Sequence, residues 1–166
     1  MEIRVQEAAL PEAVLVSGIL TEAALWLRDR GIPWLLPEEV TASRLGPEVQ
    51  AGLFFLAWSG RVAVGTMRLT PSDPLFWPEA EPGEALYLHR LAVRRAAAGG
   101  RVSSALMSWA RSRAGAQGAR YLRLDCEASR GRLRAVYERF GFAFHSERTV
   151  GSFVVARYQL LCTHAA

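Results

Sequence analysis

The stretch Leu86 to Ala119, reading LYLHRLAVRRAAAGGRVSSALMSWARSRAGAQGA, constrains this chain more than any other part of it. An apolar strand runs into Gly99-Gly100 and then directly into an amphipathic helix. Val102, Ala105, Leu106, Trp109 and Ala110 recur at the spacing of one helical face, while Ser104, Ser108 and Arg111 fall on the opposite side. A helix start leaves several backbone N–H groups without intrahelical partners, and glycines just before it let an anionic ligand approach the main chain. The order strand, glycine turn, helix therefore predicts an anion cradle, with a pyrophosphate as the expected anion.

Farther along, Leu133, Val136, Tyr137 and Phe140 form a second helical face, and Gly141 stands where a helix commonly stops. The end of that segment reads AVYERFGF.

Those two segments, in this order and spacing, resemble the GCN5-related N-acetyltransferase (GNAT) family: a strand ending in LAV, a phosphate loop opening a helix, a strand, and a Tyr-Glu-x-x-Gly-Phe helix end. The resemblance is best from Ala85 to Phe142. The family's loop usually reads Arg or Gln, two residues, Gly, one residue, then Gly or Ala. Those three places fall here on Ala98, Arg101 and Ser103, with Gly99 and Gly100 between them supplying the backbone freedom. Arg130 replaces the family's frequent Asn, seven residues before the helix Tyr.

The resemblance implies acetyl-CoA as cosubstrate and transfer of its acetyl group directly to a primary amine of a small molecule or peptide. Main-chain groups of Leu91, Ala92 and Val93 would hold the pantetheine and polarise the acetyl carbonyl, an oxyanion-hole type of assistance. Backbone N–H groups of Gly99, Gly100, Arg101, Val102, Ser103 and Ser104 would take the pyrophosphate, with Arg101 placed either to add a phosphate contact or to obstruct the loop. Tyr137 is the candidate catalytic acid. A phenol with an unperturbed pKa of about 10 stays protonated at neutral pH and can protonate a departing thiolate. The same residue also belongs to the apolar stripe of its helix, the pattern of a core aromatic. For the general base, Glu84, His89, Asp125 and Glu127 lie in or beside the strands that would border the cleft.

Composition bounds these readings. The chain has 166 residues, about half of them apolar, which fits one domain over 1–166 with a real core. No uninterrupted apolar run reaches the ~18 residues of a membrane span, and MEIRVQEAAL lacks the basic-then-apolar form of a signal peptide. A cytoplasmic location is expected. Cys126 and Cys162 are too few for a disulfide framework, and neither stands in a metal-ligand spacing with His89, His145 or His164, so no metal is expected. The formal net charge of +4 suits an anionic ligand and equally a solvated surface. Every basic side chain other than His is Arg; without Lys, Schiff-base catalysis and a Walker-type phosphate loop are excluded.

Along the rest of the chain, Ile3 to Ala8 reads as a strand. Pro11 opens a helix with Leu15, Ile19, Ala23, Trp26 and Leu27 on one face, and Gly31 ends it. Pro37 to Gln50 predicts a short second helix. Leu53 to Trp58 and Val62 to Leu69 predict a hairpin turning at Ser59-Gly60-Arg61. Thr70 to Glu84, with four prolines and four acids, is a loop. Tyr121 to Glu127, Ala143 to Thr149 and Phe153 to Leu161 complete the strands. The expected fold class is α/β (α+β): a GNAT-like mixed, mostly antiparallel sheet, helices on both faces, and one parallel strand-helix-strand unit.

Asp73, Glu79, Glu81 and Glu84 of the loop, with the Trp34 and Trp77 rings, are expected to meet a cationic amine through charge and cation–π attraction. Other readings stay open: a non-catalytic or regulatory CoA-binding domain, and nucleic-acid binding through Arg111, Arg113, Arg130, Arg132 and Arg134, which has only charge behind it. RAAAGGRVSS lacks the G-x-G-x-x-G of a dinucleotide fold, so that unit is not expected. Homodimerisation is left open.

Overall fold

The computed structural model describes residues 2–162. The elements run β1 (Ile3–Glu7), α1 (Ala13–Arg28), α2 (Ala42–Gln50), β2 (Phe54–Ser59), β3 (Val62–Thr70), β4 (Ala85–Val93), α3 (Arg101–Ala116), β5 (Tyr121–Glu127), α4 (Gly131–Phe140), β6 (Ala143–Val150) and β7 (Phe153–Leu161). Three short 3-10 turns, Leu10–Glu12, Pro37–Glu39 and Arg95–Ala97, lead into α1, α2 and α3. The strands hydrogen-bond in the order β1-β2-β3-β4-β5-β7-β6. The pair β4·β5 is parallel, whereas β1·β2, β2·β3, β5·β7 and β6·β7 are antiparallel. This is the expected mixed, mostly antiparallel sheet.

The chain divides into two compact units, Met1–Arg68 with Arg90–Met107, and Leu69–His89 with Ser108–Ala166. In the first, Val16, Ile19 and Leu20 of α1 pack with Leu45 and Val49 of α2 and with Phe54 and Leu56 of β2. Leu10–Arg28 is long and apolar enough, by length and composition alone, to cross a membrane. The buried side chains of α1, including Val16, Ile19, Leu20 and Ala24, belong to the packed core and explain that apolarity. The predicted helix over Pro37 to Gln50 divides in two. Val40 leaves helical geometry after the first turn, and Thr41 then caps α2 by accepting the Arg44 N–H at 3.3 Å.

In the second unit, β5 alternates as its sequence does. Leu122, Leu124 and Cys126 lie on one side, and Arg123 and Asp125 on the other, with Asp125 paired opposite Arg157 of β7. The parallel ladder between β4 and β5 runs only from Ala85↔Tyr121 to Tyr87↔Arg123. Three residues beyond its end, Arg90 takes a left-handed conformation (φ 52°), the one non-glycine residue among those described to do so. A bulky side chain rarely holds that geometry, which costs about 1–3 kcal/mol and is maintained by the surrounding structure.

Candidate active site

The exit from β4 is tied down by α1. The Glu22 carboxylate accepts the Arg95 N–H at 2.8 Å and the Arg94 guanidinium at 3.4 Å. Arg94 also donates through its backbone N–H to Val64 O (2.8 Å) and through Nε to Ala63 O (3.2 Å). The Arg95 guanidinium lies 3.9 Å from the Trp26 ring centroid, and Arg30 stands at the same distance from that ring. Leu91, Ala92 and Val93 are thus the last residues of a strand whose end is fixed at several points.

Gly99 and Gly100 follow, with φ of 132° and 90°, and no atom lies within 4 Å of where a Cβ would stand on either. Glycine is required there by backbone conformation, and the space above is open. α3 begins at Arg101. Ser104 N–H already reaches back to Gly100 O at 2.9 Å, and Ser103 Oγ donates to the same carbonyl at 3.0 Å. The Ser104 N–H is thereby committed to the helix.

Gly65 of β3 completes the cradle from below. A Cβ at Gly65 would stand 2.7 Å from Val102 Cγ1, 3.1 Å from Leu106 Cδ1 and 3.2 Å from Ala92 O, so the first turns of α3 lie almost on the strand backbone. The sequence reading passed over this residue. Its signal was a lone glycine inside the apolar run VAVGTM, which marks a close backbone approach.

Tyr137 sits on α4, the one buried residue of that helix, edge-on to Phe142 (5.9 Å) and tilted against Tyr158 (6.3 Å). Burial pushes its phenol well above the ordinary value, with the neighbouring Cys126 and Asp125 adding to the rise and Arg130 opposing it. Tyr158 differs. Its hydroxyl donates to Glu138 at 2.6 Å and accepts from Arg134 at 2.9 Å, so it is fully engaged.

The four base candidates separate. Glu84 pairs with Arg123 at 2.9 Å, and that hydrogen bond is the main reason its pKa is lowered. His89 Nε2 shares a 2.9 Å hydrogen bond with Thr70 Oγ1, and Glu127 is exposed at the end of β5. Asp125 is raised to about 7, first by burial and then by the nearby Asp73, with Arg157 opposing. It is the carboxylate matched to accept a proton near neutral pH.

The proline-rich loop departs from its expected role. Trp77 is 2% exposed, and its ring already has the Arg123 and Arg157 guanidiniums 4.6 Å from its centroid, each closely engaged by a loop acid. Glu79 binds Arg157 at 2.6 Å as Glu84 binds Arg123. Trp34 packs against the core of the first unit. Of the loop glutamates, Glu81 alone has no ion-pair partner among the described residues. A cavity of about 350 Å³ lies under this loop, lined by Asp73, Trp77, Glu81, Tyr87 and the loop prolines.

Among the residues proposed for nucleic acid, Arg111 donates to Leu161 O and Arg134 to Tyr158 and Ala128 O. Among the described residues no group of three or more His, Cys, Asp or Glu is placed to hold a metal; His164 lies outside them.

Comparison with known proteins bears on the same segments. The family model for the GNAT acetyltransferases matches residues 21–142. The uncharacterized N-acetyltransferase YesJ of Bacillus subtilis (strain 168) is 32% identical over 143 residues, covering 82% of this chain and 79% of that protein. A GNAT-family acetyltransferase of Listeria monocytogenes superposes with a TM-score of 0.76 at 24% identity, covering 96% of both chains. The PaiA N-acetyltransferase of Thermoplasma acidophilum, solved in complex with coenzyme A, gives 0.76 at 17% identity, covering 96% of this chain and 100% of that one. With a matched family model running unbroken from α1 through the cradle to the end of the Tyr137 helix, this chain belongs to the GNAT acetyltransferase family.

Proposed function

We propose that this protein is an N-acetyltransferase that moves the acetyl group of acetyl-CoA directly to a primary amine of a small molecule or peptide. The observation that carries the reading is the open, left-handed Gly99-Gly100 pair at the start of α3, seated on Gly65. The N–H groups of Gly99 to Ser103 take the pyrophosphate, with Arg101 beside them. Main-chain groups of Leu91, Ala92 and Val93 hold the pantetheine and polarise the thioester carbonyl. The amine nitrogen attacks that carbonyl; a C–N bond forms and the C–S bond breaks.

Two protons are handled in that exchange. Asp125 accepts the proton lost by the amine, directly or through water. Tyr137, kept protonated by its burial, donates to the departing sulfur. The reading takes residues 1–166 as one functional domain acting in the cytoplasm.

Calorimetric titration with acetyl-CoA, followed by thiol release in the presence of a primary amine, tests it. Tyr137→Phe is expected to retain acetyl-CoA binding and lower turnover on the order of a hundredfold. Absence of acetyl-CoA affinity sinks the proposal, and unaltered turnover in Tyr137→Phe reduces Tyr137 to a core aromatic. The departures at Ala98, Arg101, Ser103 and Arg130 favour one second reading, a CoA-binding domain without transfer. Tight acetyl-CoA binding with no thiol release to any amine would select it.

A further inference from the structure

We propose that Arg90 is a specificity residue that takes a carboxylate on the acceptor, so that the amine acetylated is an amino acid; this rests on the acetyltransferase reading. Arg90 directly precedes Leu91, Ala92 and Val93 in β4. Adjacent Cα atoms stand about 3.8 Å apart, so a group held by its guanidinium lies within a side chain's length of the strand end assigned to the thioester. Arg90, Leu91–Val93 and the charged residues around Arg90, which are Arg68, Glu48 and Glu39, all belong to the first compact unit. The left-handed backbone of Arg90 interrupts the regular alternation of the strand, and residues held in such geometry cluster at ligand sites.

The half-buried Arg90 guanidinium has no hydrogen-bond or ion-pair partner among the described residues. Burial works against its charge first and the nearby Arg68 second, while Glu48 and then Glu39 favour it. Both carboxylates are already engaged. Glu48 binds Arg68 Nη1 at 2.9 Å, and Glu39 accepts the Leu36 N–H at 3.0 Å. Acceptors are so short here that the buried Arg68 Nε finds none. A guanidinium does not relieve such a position by losing its proton, so relief comes from an incoming anion. Its planar fork of N–H donors matches the two oxygens of a carboxylate, and the same pair of arginines repels an acceptor that carries positive charge alone.

The test compares the standard amino acids with their α-amides, which keep the amine and the side chain and lose the α-carboxylate charge. Thiol release from acetyl-CoA is followed with the full chain. At least one acid is expected to exceed its amide by about tenfold or more in kcat/KM, chiefly through KM. Arg90→Gly and Arg90→Gln both remove the charge, and glycine accepts the left-handed backbone without strain. In whichever of them circular-dichroism melts show to be folded, the acid-to-amide ratio should fall to about one, and Arg90→Lys, which keeps the charge and loses the fork, should retain part of the preference. A merely structural role for Arg90 would lower acids and amides together and leave the ratio in place. A ratio near one for every pair in the parent, or the parental ratio in a folded charge-removing variant, overturns the proposal. So does a preference confined to O-phosphoethanolamine over ethanolamine, which would make the anion a phosphate. Acetyl-CoA is titrated into the same samples. If it binds and amines are acetylated with no acid preferred, the carboxylate assignment alone fails; if acetyl-CoA does not bind, the acetyltransferase reading fails with it.

Discussion

Between Val93 and Ser104 the chain prepares for charge with its main chain, whereas between Thr70 and Glu84 it does so with side chains. In the first stretch the donors are N–H groups exposed by helix geometry, and substitutions at Ala98, Arg101 or Ser103 leave those groups in place. In the second, two of the four acids that look available along the sequence, Glu84 and Glu79, are matched in space by Arg123 and Arg157. A backbone site follows from the local order of residues. A side-chain site depends on what distant strands bring against it.

The largest effect expected belongs to the sheet face that the loop's Asp73 approaches. Asp125 has a folded-state pKa of about 7 against an ordinary value of 3.8. The folded state therefore binds a proton between those values that the unfolded state has released, and this group's contribution to stability falls as pH rises across that window, then levels off. The total is on the order of 4 kcal/mol. Asp125→Asn should remove the decline, making the variant more stable than the parent above pH 7, as read by urea unfolding at a series of pH values. In catalysis the sign is opposite: activity should rise as Asp125 ionises near pH 7, and the Asn variant should lose that limb. An Asn variant less stable than the parent at pH 8 would contradict the buried, protonated state.

The cradle is broken next by Gly100→Val. A β-branched residue at φ 90° costs about 1–3 kcal/mol, equivalent to as much as a hundredfold in acetyl-CoA affinity if the loop moves to relieve it. Titration of the folded variant checks this, and parental affinity would place the phosphate site elsewhere. Gly65→Ala acts on the same cradle from beneath. Its Cβ would meet Val102 at 2.7 Å, so α3 must shift, at about 1–3 kcal/mol by overpacking, together with weaker acetyl-CoA binding.

Arg157→Gln separates the two regions. It removes the hydrogen bonds to Phe76 O and Glu79 and should destabilise by about 1–2 kcal/mol, with acetyl-CoA affinity unaltered. Because Glu79 is half exposed, water takes over its solvation and the loss stays modest. An equal fall in acetyl-CoA affinity would mean that the loop and the cradle are not independent. The smallest effect is Glu81→Gln, within about 0.5 kcal/mol of the parent in a melt, since this exposed carboxylate has no ion-pair partner among the described residues.

The elements were legible wherever one physical pattern ruled. Tyr121–Glu127 and Phe153–Leu161 come out as read, because strand alternation and turn glycines bound them. The cradle was legible because glycines before a helix act through the main chain. Arg90 was not: nothing in LHRLAV marks a left-handed residue. The pairs of Arg123 with Glu84 and Arg157 with Glu79 span 39 and 78 residues, beyond any local signal. For the same reason the loop acids looked available and Trp77 looked like an exposed ring.

The division into two units also sets an order of events during synthesis. The first unit joins residues 1–68 to residues 90–107, so its bed for the helix start, at Gly65, is made well before the helix that lies on it. Until Arg94, just past the end of β4, emerges, the carbonyl of Val64 lacks the N–H it accepts, and the β2·β3 hairpin waits with one edge unsatisfied. Closing that edge brings in a segment some thirty residues later, a non-local step that carries a loop-closure penalty. The ribosome thus delivers this open strand edge early and its cover late, and the four-proline loop is what lies between them in the chain.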